Sequence, residues 1–409
     1  MGSADKNPIR AVATSTTGCL RRWRGTRSLV CIFTVLAYLT VAGRLALAAP
    51  DSSADATATT DPADPTPATS SKPHRYFYFG VDYGSQALES PLWVFVNRGY
   101  DVLQDHIASR DVFKLPYASN GANVGRNVVN PFPAISDDGW GKFLRQEIFP
   151  LSYGSTTARW TPNYSLHLIG GGMTYAELDE WFQDHAIPLP KLWAGLTVMA
   201  AAFLNETLEN HNVVGYNTDA LADLYVFDLG GILLFSFDWP RRLFSETLVI
   251  SDWSLQPALT LPGGELHNVG NYFAAKWPLP FFPRLRLFSW FGEATTFGLS
   301  FAIDDEHSIS ACAGGAAIHL VNQDTRTLQN VVSFAPTAAV FLDRRESLLA
   351  SLQVTDVDDY FIHFNLYPHA LTQRGPSAGF WMVVDKRGHV AAGISISRLL
   401  GMGVGWSSL

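Results

Sequence analysis

Thr296-Phe297-Gly298-Leu299-Ser300-Phe301-Ala302-Ile303 sets a large apolar side chain at every second position, with small or hydroxyl residues between. A period of two is the mark of a β-strand with two unlike faces. The pattern recurs downstream. Val390, Ala392, Ile394 and Ile396 alternate with His389, Ala391, Gly393, Ser395 and Ser397, and Leu400, Met402, Val404 and Trp406 alternate with Gly401, Gly403 and Gly405. Polar turns at 304–307, 322–325, 343–346, 356–359 and 385–388 separate the runs. About ten strands fit between Trp253 and Leu409, enough for a small closed antiparallel barrel. Runs of about ten residues also match the length a tilted strand needs to cross a bilayer. A soluble barrel or sandwich alternates in the same way. An export signal, too few cysteines for a disulfide, and charges confined to the turns favour the outer-membrane kind. Phe288, Trp290, Phe291, Tyr360, Phe361, Tyr367, Phe380, Trp381 and Trp406 lie near strand ends, as an interfacial girdle or as core.

Upstream the period changes. Ser90-Pro91 followed by Leu92-Trp93-Val94-Phe95-Val96 reads as a helix with a Ser cap and Pro at its first position. Three further helices are expected over about 163–185, 190–210 and 217–235. Tyr76–Gly80 reads as a strand, and 114–140, rich in Asn, Gly and Pro, as loop. The expected fold is α+β, a helical domain (75–240) followed by an antiparallel β-barrel (241–409).

At the start, Arg21, Arg22, Arg24 and Arg27 precede the apolar stretch 28–43, and Ala46-Leu47-Ala48 follows. This is the layout of a secretory signal peptide over residues 1–48. The apolar stretch has 16 residues, short of the roughly 20 that span a bilayer. Removing 1–48 takes seven basic residues and one acid, leaving 22 basic against 36 acidic side chains, a net charge of −14. Such a surface argues against nucleic acid as a partner. Cys312 is then the single cysteine, so no internal disulfide forms. Residues 49–74 are Ala, Asp, Ser, Thr and Pro with nothing to bury, a disordered linker.

The helices carry the chemistry. Thirteen uncharged residues, 192–204, lead to Asn205-Glu206 and Glu209; the next helix carries Asp219, Asp223 and Asp228; the first carries His167 before Gly170-Gly171-Gly172. Glu206 and Glu209 stand at i, i+3, and Asp219 and Asp223 at i, i+4, so each pair shares a helix face. With His167 or His211 they make a carboxylate-rich, one-histidine cluster suited to a divalent metal, or to a water held between an acid and a base. In the catalytic version Glu206 or Asp223 is the base and His167 the proton shuttle, with Glu209 and Asp219 as metal ligands or orienting partners. In the structural version the same acids cap helix ends and bind polar neighbours. Asp219 follows Asn217-Thr218, where an acid complements the helix dipole. The triple glycine has no nucleotide-binding spacing, and close helix packing is its expected purpose. No nucleophile elbow, zinc signature or P-loop is present.

An exported chain with such an alternating final strand resembles a Gram-negative outer-membrane barrel protein. The order Tyr83-Gly84-Ser85-Gln86, Asn130-Pro131-Phe132, Leu166-His167-Leu168-Ile169-Gly170-Gly171-Gly172, Asn205-Glu206, Asn217-Thr218-Asp219 and Ala222-Asp223 is similar to a bacterial envelope family with no assigned activity, over about residues 76–240. The resemblance implies a place in the cell envelope, with membrane lipid and envelope proteins as partners. One position departs from the barrel pattern: such proteins commonly finish on an aromatic residue, whereas here Leu409 stands last and Trp406 three positions earlier. The expected protein is exported and lies in the outer membrane, with the periplasm as the alternative compartment. Its expected role is structural or envelope-maintaining, with lipid or ligand handling. The alternative is a membrane-embedded hydrolase acting on lipid or cell-wall material through His167, Glu206 and Asp223.

Overall fold

A computed structural model describes residues 74–105, 109–150, 161–210, 214–322, 330–371, 378–397 and 401–408. The expected leader, nearly all of the linker, and His211 lie outside them. Helical elements come first and strands follow, an α+β arrangement.

Helix α1, Pro91–Gly99, begins as its sequence dictates: the Ser90 hydroxyl accepts the Trp93 N–H at 3.1 Å, and Pro91 occupies the first turn. Helices α2 (Tyr117–Val129) and α3 (Pro131–Asp138) occupy the stretch expected to be loop. Asn120, Asn123 and Asn127 are buried along one face of α2, and tertiary hydrogen bonds of Asn123 and Asn127 override their poor helix propensity. The Asn123 side-chain N–H donates to Asn210 Oδ1 at 3.0 Å, and that of Asn127 to the Gly215 carbonyl at 3.0 Å. Pro131 then starts α3 at a position where its missing N–H costs nothing. Tyr76–Gly80 is not a strand. The backbone N–H groups of Tyr76, Phe77 and Tyr78 donate instead to the Glu180 carboxylate at 2.9–3.1 Å.

A π-helical segment, Thr161–Gly170, runs directly into α4, Gly171–Asp184. Helix α5 is Pro190–Glu209. The third expected helix is broken in register: Asp219–Ala222 is α-helical, Asp223–Asp228 is π-helical, and α6, Leu229–Leu234, returns to the α form. Among the described residues no single helix is long and apolar enough to cross a membrane.

Thirteen strands form one sheet in the order β1-β4-β5-β6-β7-β8-β9-β10-β11-β12-β13-β2-β3. Among them β1 is Ile250–Asp252, β2 Ala258–Thr260, β3 Glu265–His267, β4 Tyr272–Leu279, β5 Phe282–Gly292 and β6 Ala294–Ala302. The remainder are β7 His307–Asn322, β8 Asn330–Arg344, β9 Ser347–Thr355, β10 Ile362–Leu366, β11 Ala378–Val384, β12 Val390–Ile396 and β13 Gly403–Ser407. From β4 to β13 each strand pairs antiparallel with the next, whereas β13 pairs parallel with β2. The sheet therefore departs from the closed barrel of about ten strands expected from the turns. It has more strands, and among the described residues its ends, β1 and β3, do not pair with each other. The free edge of β3 is occupied by helical-domain backbone: the Leu266 N–H donates to the Arg110 carbonyl at 2.9 Å, and the Val112 N–H to Gly264 at 3.2 Å. Covering an edge satisfies it as pairing does.

The alternation in β6 appears as two faces. Phe297, Leu299 and Phe301 are exposed, and Thr296 and Ser300 are buried. Val340, Leu352, Val354, Ile394, Ile396, Val404 and Trp406 extend the exposed apolar face, while Ser310, Thr337, Ser351, Gln353, Asn365 and Ser395 point inward. Charges are not confined to turns. Lys276 in β4 is fully buried, with Nζ 2.6 Å from Asp343 in β8 and 2.8 Å from Glu346. Of the expected girdle aromatics, Phe288, Trp290, Tyr360, Tyr367 and Trp381 are core, and Trp406, Phe361 and Phe380 are exposed. The buried rings join residues of α1, α4 and α5 in one apolar cluster on the inner side of the sheet.

Candidate functional site

The site is assembled from α5 and the two π-helical segments, with Asp223–Asp228 packed against both of the others. His167 comes from Thr161–Gly170, Glu206 from α5, and Asp223 from Asp223–Asp228. One potential ligand atom from each of the three lies within 4.8 Å of the other two. Glycines permit the approach of the elements that carry them. A Cβ at Gly231 would overlap the Leu168 carbonyl oxygen, and one at Gly171 would sit 2.7 Å from the Arg98 guanidinium. That is the helix packing expected of the Gly170–Gly172 run.

The π register explains a partner that α-helical spacing hides. Five residues of α-helix leave two side chains about 140° apart around the axis. Hydrogen bonding i to i+5 widens the turn and reduces that offset, so Asp228 serves the same site as Asp223. Asp228 is buried, with Oδ1 2.5 Å from the Arg98 guanidinium and Oδ2 3.4 Å from His167 Nδ1. Burial alone would raise the Asp228 pKa, but the charges and hydrogen bonds of His167 and Arg98 hold it below the usual carboxylate range. Nδ1 of His167 is thus engaged, which leaves Nε2 for a ligand or a proton.

Glu206 and Asp223 behave oppositely. Burial pushes both far above the usual carboxylate range, and the neighbouring acids push further. For Glu206 those acids are Asp223, Glu209, Asp219 and Asp228; for Asp223 they are Asp219, Asp228, Glu209 and Glu147. Neither Glu206 Oε1 nor Asp223 Oδ1 has a hydrogen-bond partner, though both side chains are buried. Buried polar atoms are nearly always partnered, so two adjacent orphans mark a place built around something else.

Glu209 and Asp219 lie outside the converging three. Both are half-buried, Glu209 in the last turn of α5 and Asp219 at the start of its short helix. The Asp219 N–H donates to Asn217 Oδ1 at 3.1 Å, an Asx-type turn that sets the helix start. Their part is electrostatic, since each charge acts on both Glu206 and Asp223. Arg98 was not legible as a site residue. Its one signal is that it is the single charge in an otherwise uncharged helix, Pro91–Gly99.

Chemically, an oriented imidazole beside two carboxyl groups can hold a cation or move protons to and from a water. The site's accessible member is His167, whose side chain keeps 14% of its surface exposed. No known protein family, no curated protein and no solved structure matches this chain.

Proposed function

We propose that the chain is an exported protein of outer-membrane type whose strands close into a barrel and meet lipid with their exposed apolar face. On this reading the helical domain carries a hydrolytic site, at His167, Glu206 and Asp223, that acts on lipid or cell-wall material. The observation that carries the reading is the convergence of two buried carboxyl groups, each with one unpartnered oxygen, on a histidine held by Asp228.

Hydrolysis of an ester or amide needs a water that loses a proton as it attacks, and a donor for the leaving oxygen or nitrogen. The His167 imidazole would take the water's proton as it attacks and return that proton to the leaving atom, beside the Glu206 and Asp223 carboxyl groups. Lipid as the medium is supported by the outward face of the sheet, apolar at Phe297, Leu299, Phe301, Val340, Leu352, Ile394 and Val404, as the outer face of a transmembrane barrel is. Within the barrel reading, β1 and β3 flank the seam, and the backbone at 110–112, which hydrogen-bonds to the β3 hairpin, lines it.

The test is reconstitution into phospholipid vesicles followed by assay of released fatty acid, head group or peptidoglycan fragment. Wild type is expected to turn over, and His167→Ala and Glu206→Gln to lose about 100-fold or more, with the folded, heat-modifiable gel band retained in each. A folded wild type inactive on every substrate would instead favour a structural, envelope-maintaining role. The sheet alone supports that second reading, because a lipid-facing barrel needs no chemistry. Release by mild salt would place the protein in the periplasm and defeat the membrane reading.

A further inference from the structure

The geometry points to one divalent first-row metal ion, of the zinc or manganese kind, bound by Nε2 of His167 and one oxygen each of Glu206 and Asp223. The inference rests on the geometry of the cluster and not on the hydrolytic reading, which can fail without it.

Three observations combine. One candidate ligand atom from each side chain, a ring nitrogen of His167 and a carboxylate oxygen of Glu206 and of Asp223, already lies within 4.8 Å of the other two, and ligand bonds of about 2.0–2.2 Å would draw them closer. Glu206 Oε1 and Asp223 Oδ1 are buried with no donor, although a carboxylate oxygen in the protein interior ordinarily accepts hydrogen bonds. Finally, His167 is prepared as metal-binding histidines are. Its other ring nitrogen faces a carboxylate, Asp228, which fixes the tautomer and aims Nε2. Asp228 is itself fixed by Arg98, so the support extends one residue further into the fold.

The donor set selects the class of ion. One imidazole with two carboxylates is too hard for copper(I) and lacks the thiolates of structural zinc or iron–sulfur sites. The imidazole also disfavours calcium, which takes six to eight oxygen ligands. Three protein ligands leave open positions for water, as catalytic sites do. Bound there, the ion would supply a water acidified toward neutrality. Glu209 and Asp219 would surround the ion as further negative charge, and not as its ligands.

The experiment uses the full chain in detergent, stripped with chelator and titrated at neutral pH with zinc and with manganese, read by calorimetry and by manganese spin resonance. Cobalt supplies a third readout, through the visible absorption of its bound form. The expected result is one equivalent bound, lost in His167→Ala, Glu206→Gln and Asp223→Asn, and weakened about tenfold in Asp228→Asn. Glu306→Gln, far along the chain in the turn between β6 and β7, is expected to bind as wild type does. Each variant is first checked for the folded band and its circular dichroism. Glu206→Gln and Asp223→Asn keep shape and replace a buried ionisable group with a neutral amide, so at least one folded ligand variant is expected. Absence of saturable binding by wild type overturns the inference, as does binding undiminished in the folded ligand variants. No substrate is present in any arm, so failure of hydrolysis and failure of metal binding are distinguishable.

Discussion

Leu299 sits near the middle of β6 and faces outward, and replacing it with arginine separates a lipid-bathed sheet from a water-bathed one. The nine residues of Ala294–Ala302, at about 3.3 Å each, make a strand of roughly 30 Å. Tilted by about 40°, it covers roughly 23 Å of membrane normal, close to the apolar band of a transmembrane barrel. Leu299 then lies near the bilayer midplane, and Ile303, at the rim beside Asp304, near the headgroups. In a bilayer Leu299→Arg is expected to cost about 2–4 kcal/mol and Ile303→Arg about 0–1 kcal/mol. In water the two positions are equivalent, being 46% and 47% exposed, and each change costs within about 0.5 kcal/mol. The assay is urea unfolding in phospholipid vesicles, followed by tryptophan fluorescence and the heat-modifiable gel band. A midpoint loss at Leu299 no greater than at Ile303 would refute the lipid-facing assignment of this face.

Arg98→Met is expected to destabilise by about 3–5 kcal/mol, because it leaves the Asp228 carboxylate buried without its cation. Denaturant unfolding should show most of that loss recovered in Arg98→Met/Asp228→Leu, and no recovery would mean the pair acts through something other than charge. Glu89 and Glu177 are both held well above the usual carboxylate range, by burial first; Glu177, Asp252 and Glu180 push Glu89 further, and Asp252 and Glu180 push Glu177 further against the lowering effect of its hydrogen bond with Glu89. Raised folded-state values mean the folded chain keeps protons that the unfolded chain releases. This contribution is full below about pH 4.3 and is lost as pH rises through the folded values. Glu89→Gln is accordingly expected to flatten the decline of thermal stability from pH 4.5 toward neutrality, and an unchanged slope would place the titration elsewhere. Gly231→Val is expected to cost about 1–3 kcal/mol by forcing α6 away from the Leu168 carbonyl; a melting temperature equal to that of wild type would show the approach to be slack.

Much of the architecture was legible because local signals and tertiary demands agree. Ser90 and Pro91 start α1 as capping chemistry requires, and the alternation of Phe297, Leu299 and Phe301 survives intact as one face of the sheet. Where they disagree, packing prevails. The Asn-rich stretch became α2 because Asn123 and Asn127 find partners on neighbouring segments, information absent from the stretch itself. Lys276 reads as a misplaced charge until Asp343 and Glu346 arrive from distant strands. The site was legible as a set of residue types, which is why His167, Glu206 and Asp223 stood out. Asp228 stood among the acids of its helix without a role, since a π turn changes which residues share a face, and Arg98 lies on a separate helix, α1, that no spacing links to the cluster.

The parallel pairing of β13 with β2 makes the order of events during folding matter. A ribosome delivers β2 long before β13, so the β2–β3 hairpin has no neighbour on one side while the intervening strands are made. Contacts between segments so distant in sequence are slow to form. Through that interval the backbone at 110–112 can dock against β3 early and shield its other edge. The helical domain would then act as an internal escort for the hairpin until the final strand reaches it.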